Sequence, residues 1–352
     1  MTQSMKTAIG GVALKNPVIC GSGEHVMSAA GIRAALDAGA AAVVVKSVNE
    51  SEAARDQLDR ADYVLLDSRW RPLPFDFDAP PDSTLACRSG LSPQPFDEWL
   101  EMVADLDRAA RDRDAYVVAS LILAELEPAA EMARRIEAAG IRVLEFNIGT
   151  PYADEAAKGA VSTERAPDNV ARIVSTIRAA TAMPLWVKVS AQSERVSELA
   201  AAARAAGADA VILAGRLLGM LPDLDTRRPV LDTNLGFGGF WSLPQTCYWL
   251  ARTRRALGPD VPLIATNGIR DGDDVARALL SGAAAAEMST AVMTGGFATL
   301  TRAIDALAAY LEAKHVDAAD LIGNAADQTK RFQDLPAAAV DNRLKVIPPA
   351  AR

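Results

Sequence analysis

Cysteine is scarce in this chain, with three in 352 residues, at Cys20, Cys87 and Cys247. They lie far apart, so neither a metal-ligand spacing nor a disulfide framework can be read from them, and no iron-sulfur cluster is expected within the chain. Histidine is scarcer still, His25 and His315 being the only two. A single His beside the first loop reads as a loop residue before it reads as a catalyst. No stretch approaches the ~20 apolar residues of a membrane span, and the first residues lack the charged start and apolar run of a leader. Positive charge is not in excess: 37 Lys and Arg against 45 Asp and Glu leave a net charge of −8. That gives no electrostatic reason to approach phosphate backbones or anionic lipid, so nucleic acid and membrane partners are not expected. The expected location is the cytoplasm. Gly21-Ser22-Gly23 lacks the third glycine of a dinucleotide fingerprint, because Val26 holds that place, so no NAD site is read.

What is present is a recurring phrase. An Ala-rich helical stretch ends in a small residue plus Gly, and a short apolar run follows, at Ala38-Gly39-Ala40, Ala139-Gly140-Ile141, Ala206-Gly207-Ala208 and Ser281-Gly282-Ala283. Gly just past a helix end takes the left-handed conformation that closes the helix, and the chain turns directly into a buried strand. This is the joint between helix and strand in a parallel sheet. Apolar runs lie at 18–21, 42–45, 116–121, 143–146, 185–189, 210–213, 263–266 and 284–288, as expected of strands covered on both faces. Eight such runs with helices between them suit a closed (βα)8 TIM barrel of the α/β class better than an open doubly wound sheet. With half of its residues hydrophobic, the chain reads as one domain over 1–352 with a core of about 10–323, because such barrels run this long as single units.

Two connections are too long to be joints. Residues 49–114 contain Pro72, Pro74, Pro80 and Pro81, and residues 215–243 contain Pro222, Pro229 and a Gly cluster. Long irregular segments in compact domains are usually lids or binding loops, and both leave from strand C-termini, the active-site face of a barrel.

The last two strands end in small polar residues, Thr266-Asn267-Gly268-Ile269 and Ser289-Thr290-Ala291. Exposed amides, hydroxyls and helix N-termini there suit a phosphate, the alternative being ordinary turns and N-caps. Lys46 and Lys188 also stand at strand ends. A lysine in a barrel mouth must meet an anion, a cofactor carbonyl or a substrate, or else be held in a structural ion pair, since burying it unpaired is costly. Asn147 is a third polar group at the same face.

Taken in order, these segments resemble the FMN-binding barrels of the class 1 dihydroorotate dehydrogenases and the pyrimidine-reducing domain of dihydropyrimidine dehydrogenase, over about 10–323. Asn16-Pro17-Val18 leading into Gly21-Ser22-Gly23 resembles the opening strand and flavin-contacting turn, and Lys46-Ser47 the Lys with Ser or Thr beside the flavin ring. Glu145-Phe146-Asn147-Ile148-Gly149-Thr150-Pro151 resembles the stretch in which an Asn is followed three residues later by the catalytic base and then Pro. Trp186-Val187-Lys188 resembles the strand whose Lys reaches the flavin N1 and O2 edge, where a cation stabilises the reduced flavin. Phe237-Gly238-Gly239, Ala265-Thr266-Asn267-Gly268-Ile269 and Ser289-Thr290 resemble the glycine-rich and phosphate-holding segments, and Asp320-Leu321-Ile322-Gly323 the closing motif. The resemblance implies FMN as cofactor. Its contacts would be Gly21, Ser22, Gly23, Lys46, Ser47, Asn147, Lys188, Gly215, Gly238, Gly239, Asn267, Gly268, Ser289 and Thr290.

Departures bear on the substrate. The family's base is Cys or Ser, and here Thr150 stands there, a hydroxyl that needs a water or a neighbour to move a proton. The family's pyrimidine-pairing asparagines are largely replaced: Tyr152 follows Pro151, Gly215 lies beside Arg216, Cys87 precedes Gly90-Leu91, and Glu125 and Leu126 follow the third strand. Unpaired pyrimidine N–H and C=O groups would each cost ~1–3 kcal/mol. Arg216 and Arg88 offer bidentate grips for a carboxylate, or are solvated loop arginines. The expected enzyme is an FMN-dependent oxidoreductase moving a hydride between flavin N5 and a small cyclic carbonyl- or imine-containing substrate, with CH–CH donors. Thr150 and Lys46 would be catalytic, and Asn147, Leu91, Tyr152 and Arg216 would line the substrate. A soluble electron donor or acceptor and a homodimer are expected. The alternatives are an FMN-containing electron-transfer subunit of a larger complex, and a flavin-free lyase forming a Schiff base at Lys188 or Lys46.

Overall fold

The computed structural model describes residues 3–348. The eight apolar runs form parallel strands that close into one barrel. They are β1 Val18–Cys20, β2 Ala42–Val44, β3 Tyr116–Ile122, β4 Leu144–Asn147, β5 Leu185–Lys188, β6 Ala210–Leu213, β7 Leu263–Ala265 and β8 Ala285–Met288. Each pairs with its neighbours in sequence, and β8 closes on β1 with Glu287 opposite Ile19. The helices that cover them are α1 Ala29–Asp37, α2 Phe96–Ala110, α3 Leu126–Ala138, α4 Pro167–Ala180, α5 Val196–Ala205, α6 Leu243–Leu257, α7 Gly272–Leu280 and α8 Ala298–Lys314. The TIM-barrel expectation is met strand for strand.

Local chemistry explains the elements. In α4, Pro occupies the first turn and Val170, Ile173, Val174 and Ile177 recur at helical spacing on the buried face. The Asp271 carboxylate caps α7 by accepting the Asp274 amide. At the four helix-to-strand joints, Gly39, Gly140, Gly207 and Gly282 have φ of +97°, +80°, +104° and +110°. These are the left-handed conformations their position requires.

Two features depart from the sequence reading. Thr7–Ile9 and Val12–Leu14 form an antiparallel hairpin around Gly10 and Gly11. Its buried residues Ile9, Val12 and Leu14 join Ile19, Trp186, Ile212 and Ile264 in one apolar cluster. Gly10 lies against Asp209, just ahead of β6, so the hairpin plugs the N-terminal mouth. The two long connections are also not irregular throughout. They pair with each other in a five-stranded antiparallel sheet, ordered Leu217–Gly219, Leu235–Gly239, Thr84–Arg88, Asp62–Leu66, Pro72–Leu73. Pro72 falls on the edge strand, where its missing N–H costs no ladder bond.

Candidate active site

A cavity of about 800 Å³ opens among the C-terminal ends of the barrel strands, beside the insertion sheet. That volume suits a nucleotide-sized ligand with a small substrate. Of the expected flavin contacts, Ser22, Gly23, Lys46, Ser47, Asn147, Lys188, Gly215, Gly239, Asn267, Gly268, Ser289 and Thr290 line it. Gly21 and Gly238 do not; they lie behind the wall, packed on the hydroxyls of Ser289 and Thr290 respectively.

The end of the cavity where a phosphate is expected is built from β7 and β8. Asn267 and Gly268 both have positive φ, +74° and +91°. The Thr246 hydroxyl fixes this turn by donating to the carbonyls of Asn267 (2.9 Å) and Thr266 (3.2 Å). Asn267 in turn donates from Nδ2 to the Gly215 carbonyl (3.3 Å). The amides of Gly268 and Ile269 donate to no described residue, and both residues line the cavity with Ser289, Thr290 and Ala291. Backbone donors left open beside a cavity are the chemistry a phosphate needs, so this end fits the FMN phosphate.

Both strand-end lysines are buried and committed to carboxylates. Lys46 donates from Nζ to Glu24 Oε1 (2.6 Å), and the same oxygen accepts the Tyr63 hydroxyl (2.6 Å). Burial alone would raise the Glu24 carboxyl, but the Lys46 ammonium and the two hydrogen bonds outweigh it and hold the group down to about 2. Lys188 Nζ is 2.9 Å from Glu145 Oε2 and 2.9 Å from Glu287 Oε2. Burial would lower the Lys188 ammonium, yet the two carboxyl groups win and push it up. Glu145 also accepts the Ser120 hydroxyl (3.0 Å), which is itself 2.8 Å from Ser47 Oγ. Of the two readings the sequence left open for the lysines, an ion pair is realised at each, and both pairs line the cavity.

On the substrate side, Thr150, Asn147, Tyr152, Leu91 and Arg216 all line the same cavity. Asn147 Oδ1 accepts the Gly149 amide (3.0 Å), which leaves its NH₂ group as the donor for a ligand. The backbone carbonyl of Thr150 accepts the Thr163 hydroxyl, and Thr150 itself is buried. The Tyr152 hydroxyl donates to the Cys87 carbonyl (2.9 Å), and burial pushes its ionisation upward, so it keeps its proton. Arg216 donates to Cys87 Sγ (2.6 Å) and Ser89 Oγ (3.1 Å), with its guanidinium 5.9 Å from the Tyr152 ring centre. No carboxylate of a described residue stands within ion-pair distance of it. Arg88 is a loop tie instead, bonded to the carbonyls of Arg60 and Leu231 and paired with Asp62. His25 Nε2 lies 3.3 Å from Cys20 Sγ, and burial lowers its imidazole to about 4, so it is neutral at physiological pH.

The sequence reading missed Tyr63, Ser120 and Glu287, and took Glu145 only as part of a motif. A signal existed for two of them: Glu145 between Leu144 and Phe146, and Glu287 between Ala286 and Met288, are charges inside buried strands, and a buried charge requires a partner. Among the described residues, no group of three or more His, Cys, Asp or Glu side chains is placed to hold a metal. No described helix is long and apolar enough to cross a membrane.

The family model described as dihydroorotate dehydrogenase matches residues 70–311, from the first insertion into α8. The chain is 23% identical over 337 residues to the dihydroorotate dehydrogenase B (NAD(+)) catalytic subunit of Methanocaldococcus jannaschii, an alignment covering 91% of this chain and 98% of that one. To the subunit of the same name from Pyrococcus furiosus it is 26% identical over 318 residues, covering 88% and 94%. To dihydroorotate dehydrogenase A (fumarate) of Lacticaseibacillus paracasei it is 30% identical over 180 residues, covering 51% and 60%.

Proposed function

The chain belongs to the dihydroorotate dehydrogenase family and is an FMN-dependent oxidoreductase acting on CH–CH donors, and we propose that its substrate is a small ring carrying a carboxylate, gripped by Arg216. Bound FMN supplies a two-electron hydride acceptor at N5. The side chains of this pocket do the rest. Lys188 would hold the edge of the cofactor ring where charge accumulates, Asn147 would offer its NH₂ to a substrate carbonyl, and the Thr150 Oγ1 would handle the substrate proton, directly or through one water. Glu24, held to about 2 by Lys46 and Tyr63, is too weak a base for that task, and Tyr152 too weak an acid. The insertion sheet shields the reaction from solvent.

The observation that carries the substrate reading is Arg216, a half-buried guanidinium beside the cavity that donates to a thiol and a hydroxyl, while Glu24, whose charge it also feels, is committed to Lys46 and Tyr63. A partly desolvated cation with no directly paired carboxylate is costly, and a substrate carboxylate would offset that cost with a bidentate pair. The replaced asparagines argue in the same direction, because a pyrimidine-dione would find few amide partners here. The deciding experiment is anaerobic bleaching of the yellow protein by dihydroorotate, dihydrouracil and carboxylate-bearing rings of other skeletons. Arg216→Ala is expected to raise the KM for the preferred compound by at least tenfold with kcat less affected. Rapid bleaching by dihydrouracil, or an unchanged KM in the variant, would remove the carboxylate reading.

The three unpaired cysteines fit a reducing cytoplasm. Exposed Trp70, Phe77 and Met220 on the insertions fit a homodimer contact; a monomeric mass in sedimentation would remove that part. The Schiff-base alternative is disfavoured, because Lys46 and Lys188 are both ion-paired with carboxylates rather than buried unpaired.

A further inference from the structure

Glu287 sits on β8 with its side chain in the cavity wall and its residue 2% exposed. Two carboxyl groups face one ammonium there: Glu145 from β4 and Glu287 from β8 share Lys188 from β5. The two acids are not equivalent. Glu145 has a second donor in the Ser120 hydroxyl, whereas Glu287 Oε1 is buried with no hydrogen-bond partner in a described residue. One ammonium balances one carboxylate, so a second buried carboxylate is left over, and a proton on Glu287 supplies both the missing charge and the missing donor. The other titratable group facing it is the Cys20 thiol of β1, which burial, and then Glu287 itself, push up and keep protonated. The Lys46 and Glu24 pair lines the same cavity but is satisfied internally. Burial first, then Glu145, push the Glu287 carboxyl up to about 7 against the pull of Lys188.

We propose that Glu287 is the proton-holding partner of the flavin, taking up one proton from solvent when FMN is reduced and returning it when FMN is reoxidised. This rests on the reading that Lys188 borders the bound ring. The balance is complete. A substrate C–H bond breaks and its hydride bonds to N5, carrying two electrons and one hydrogen, while the second hydrogen leaves the substrate as a proton. The negative charge so placed beside the triad raises the proton affinity of Glu287, whose carboxylate forms an O–H bond with one proton from solvent. Lys188 remains an ammonium throughout, and the triad and ring together keep a constant charge.

The sign of the linkage gives this a distinctive signature. Where Glu287 is already protonated beside oxidised FMN, reduction draws in no extra proton there, so the potential falls with pH at about 30 mV per tenfold change in proton concentration for two electrons. Above neutrality Glu287 starts as a carboxylate and takes the proton on reduction, so the slope steepens to about 59 mV. A proton taken by the reduced ring itself would bend the plot the opposite way, steep at low pH and shallow at high pH.

The experiment is a redox titration of the FMN-loaded protein between about pH 6 and pH 9, with a reduced-minus-oxidised infrared difference spectrum above neutrality. The expected result is a slope that steepens with pH, and a carboxylic-acid C=O band that appears on reduction. In Glu287→Gln both should vanish, leaving the shallow slope throughout. A wild-type slope that flattens with pH, or one unchanged by Glu287→Gln, overturns the proposal. If the Gln variant does not retain FMN, the wild-type infrared band decides alone, and its absence overturns the proposal. A protein that binds no FMN would give no flavin potential at all, which is failure of the functional reading and is distinguishable from failure of the proton assignment.

Discussion

Substituting Glu287 by Gln should make the FMN-free protein more stable, and increasingly so as pH rises. The amide keeps the shape of the protonated carboxyl and removes the charge for which Lys188 alone does not compensate. In the unfolded chain the carboxyl titrates near its ordinary 4.5, and in the fold it is pushed up to about 7. Between those values the folded state binds more protons than the unfolded state, so wild-type stability declines as pH climbs through the window and the full penalty is present above it. At about 1.4 kcal/mol per tenfold change in proton affinity, the penalty is about 3 kcal/mol. The desolvation behind it is not screened away, because the group is buried. Glu287→Gln should therefore be close to neutral near pH 5 and more stable by about 3 kcal/mol near pH 8.5. Parallel urea unfolding of both proteins at the two pH values measures the double difference, in which the extrapolation errors largely cancel. A difference independent of pH, or one favouring the wild type at high pH, would show that Glu287 is held as a stable carboxylate and would refute the charge count on which the triad argument stands.

Lys188→Ala is expected to destabilise the fold by about 3–5 kcal/mol, because it leaves Glu145 and Glu287 facing each other without a cation; FMN still bound should show a lower potential, and an unchanged potential would show that Lys188 does not border the ring. Thr150→Ala should slow single-turnover flavin reduction by ~10² to 10⁴ with little change in FMN retention, while Thr150→Ser stays near wild type; an unchanged rate in Thr150→Ala would assign the proton elsewhere. Gly268→Val should lose FMN on gel filtration, because position 268 has φ +91° and a Cβ there would lie 2.5 Å from the Leu243 amide nitrogen. Retention of FMN with unaltered affinity would show that this turn does not hold the phosphate.

The barrel was legible because its signals are local. A Gly after an Ala-rich helix and before an apolar run needs no knowledge of the rest of the chain, and Gly39, Gly140, Gly207 and Gly282 all adopt the conformation that reading requires. The N-terminal hairpin was not legible, since three-residue strands carry too few alternations to register as a period. The insertion sheet failed for another reason. Its central pairing sets Gly236 against Cys87 and Phe237 against Ala86, segments from separate insertions that only a closed barrel brings together. Prolines such as Pro72 and Pro81 correctly announced interruptions there, but an interruption beside a strand resembles an interruption instead of one.

The site divides along the same line. Lys46, Lys188, Asn147 and the turn at Asn267 and Gly268 were visible because strand ends are visible, and strand ends face the mouth of a barrel. What these groups pair with was invisible, because Glu24 and Glu145 reach the lysines across neighbouring strands, and Glu287 across the barrel, contacts that no local pattern announces. Counting charges once the fold was accepted would have gone further. Side chains alternate between the inside and the outside of a barrel strand, so a Glu embedded in an apolar strand either leaves the protein dry and unpaired, which is too costly to persist, or meets a cation inside. Two such acids, Glu145 and Glu287, and one inward cation at Lys188 leave a surplus negative charge that a proton can neutralise. Where that surplus borders a redox cofactor, it couples electron transfer to proton uptake, and the charge count becomes a statement about mechanism.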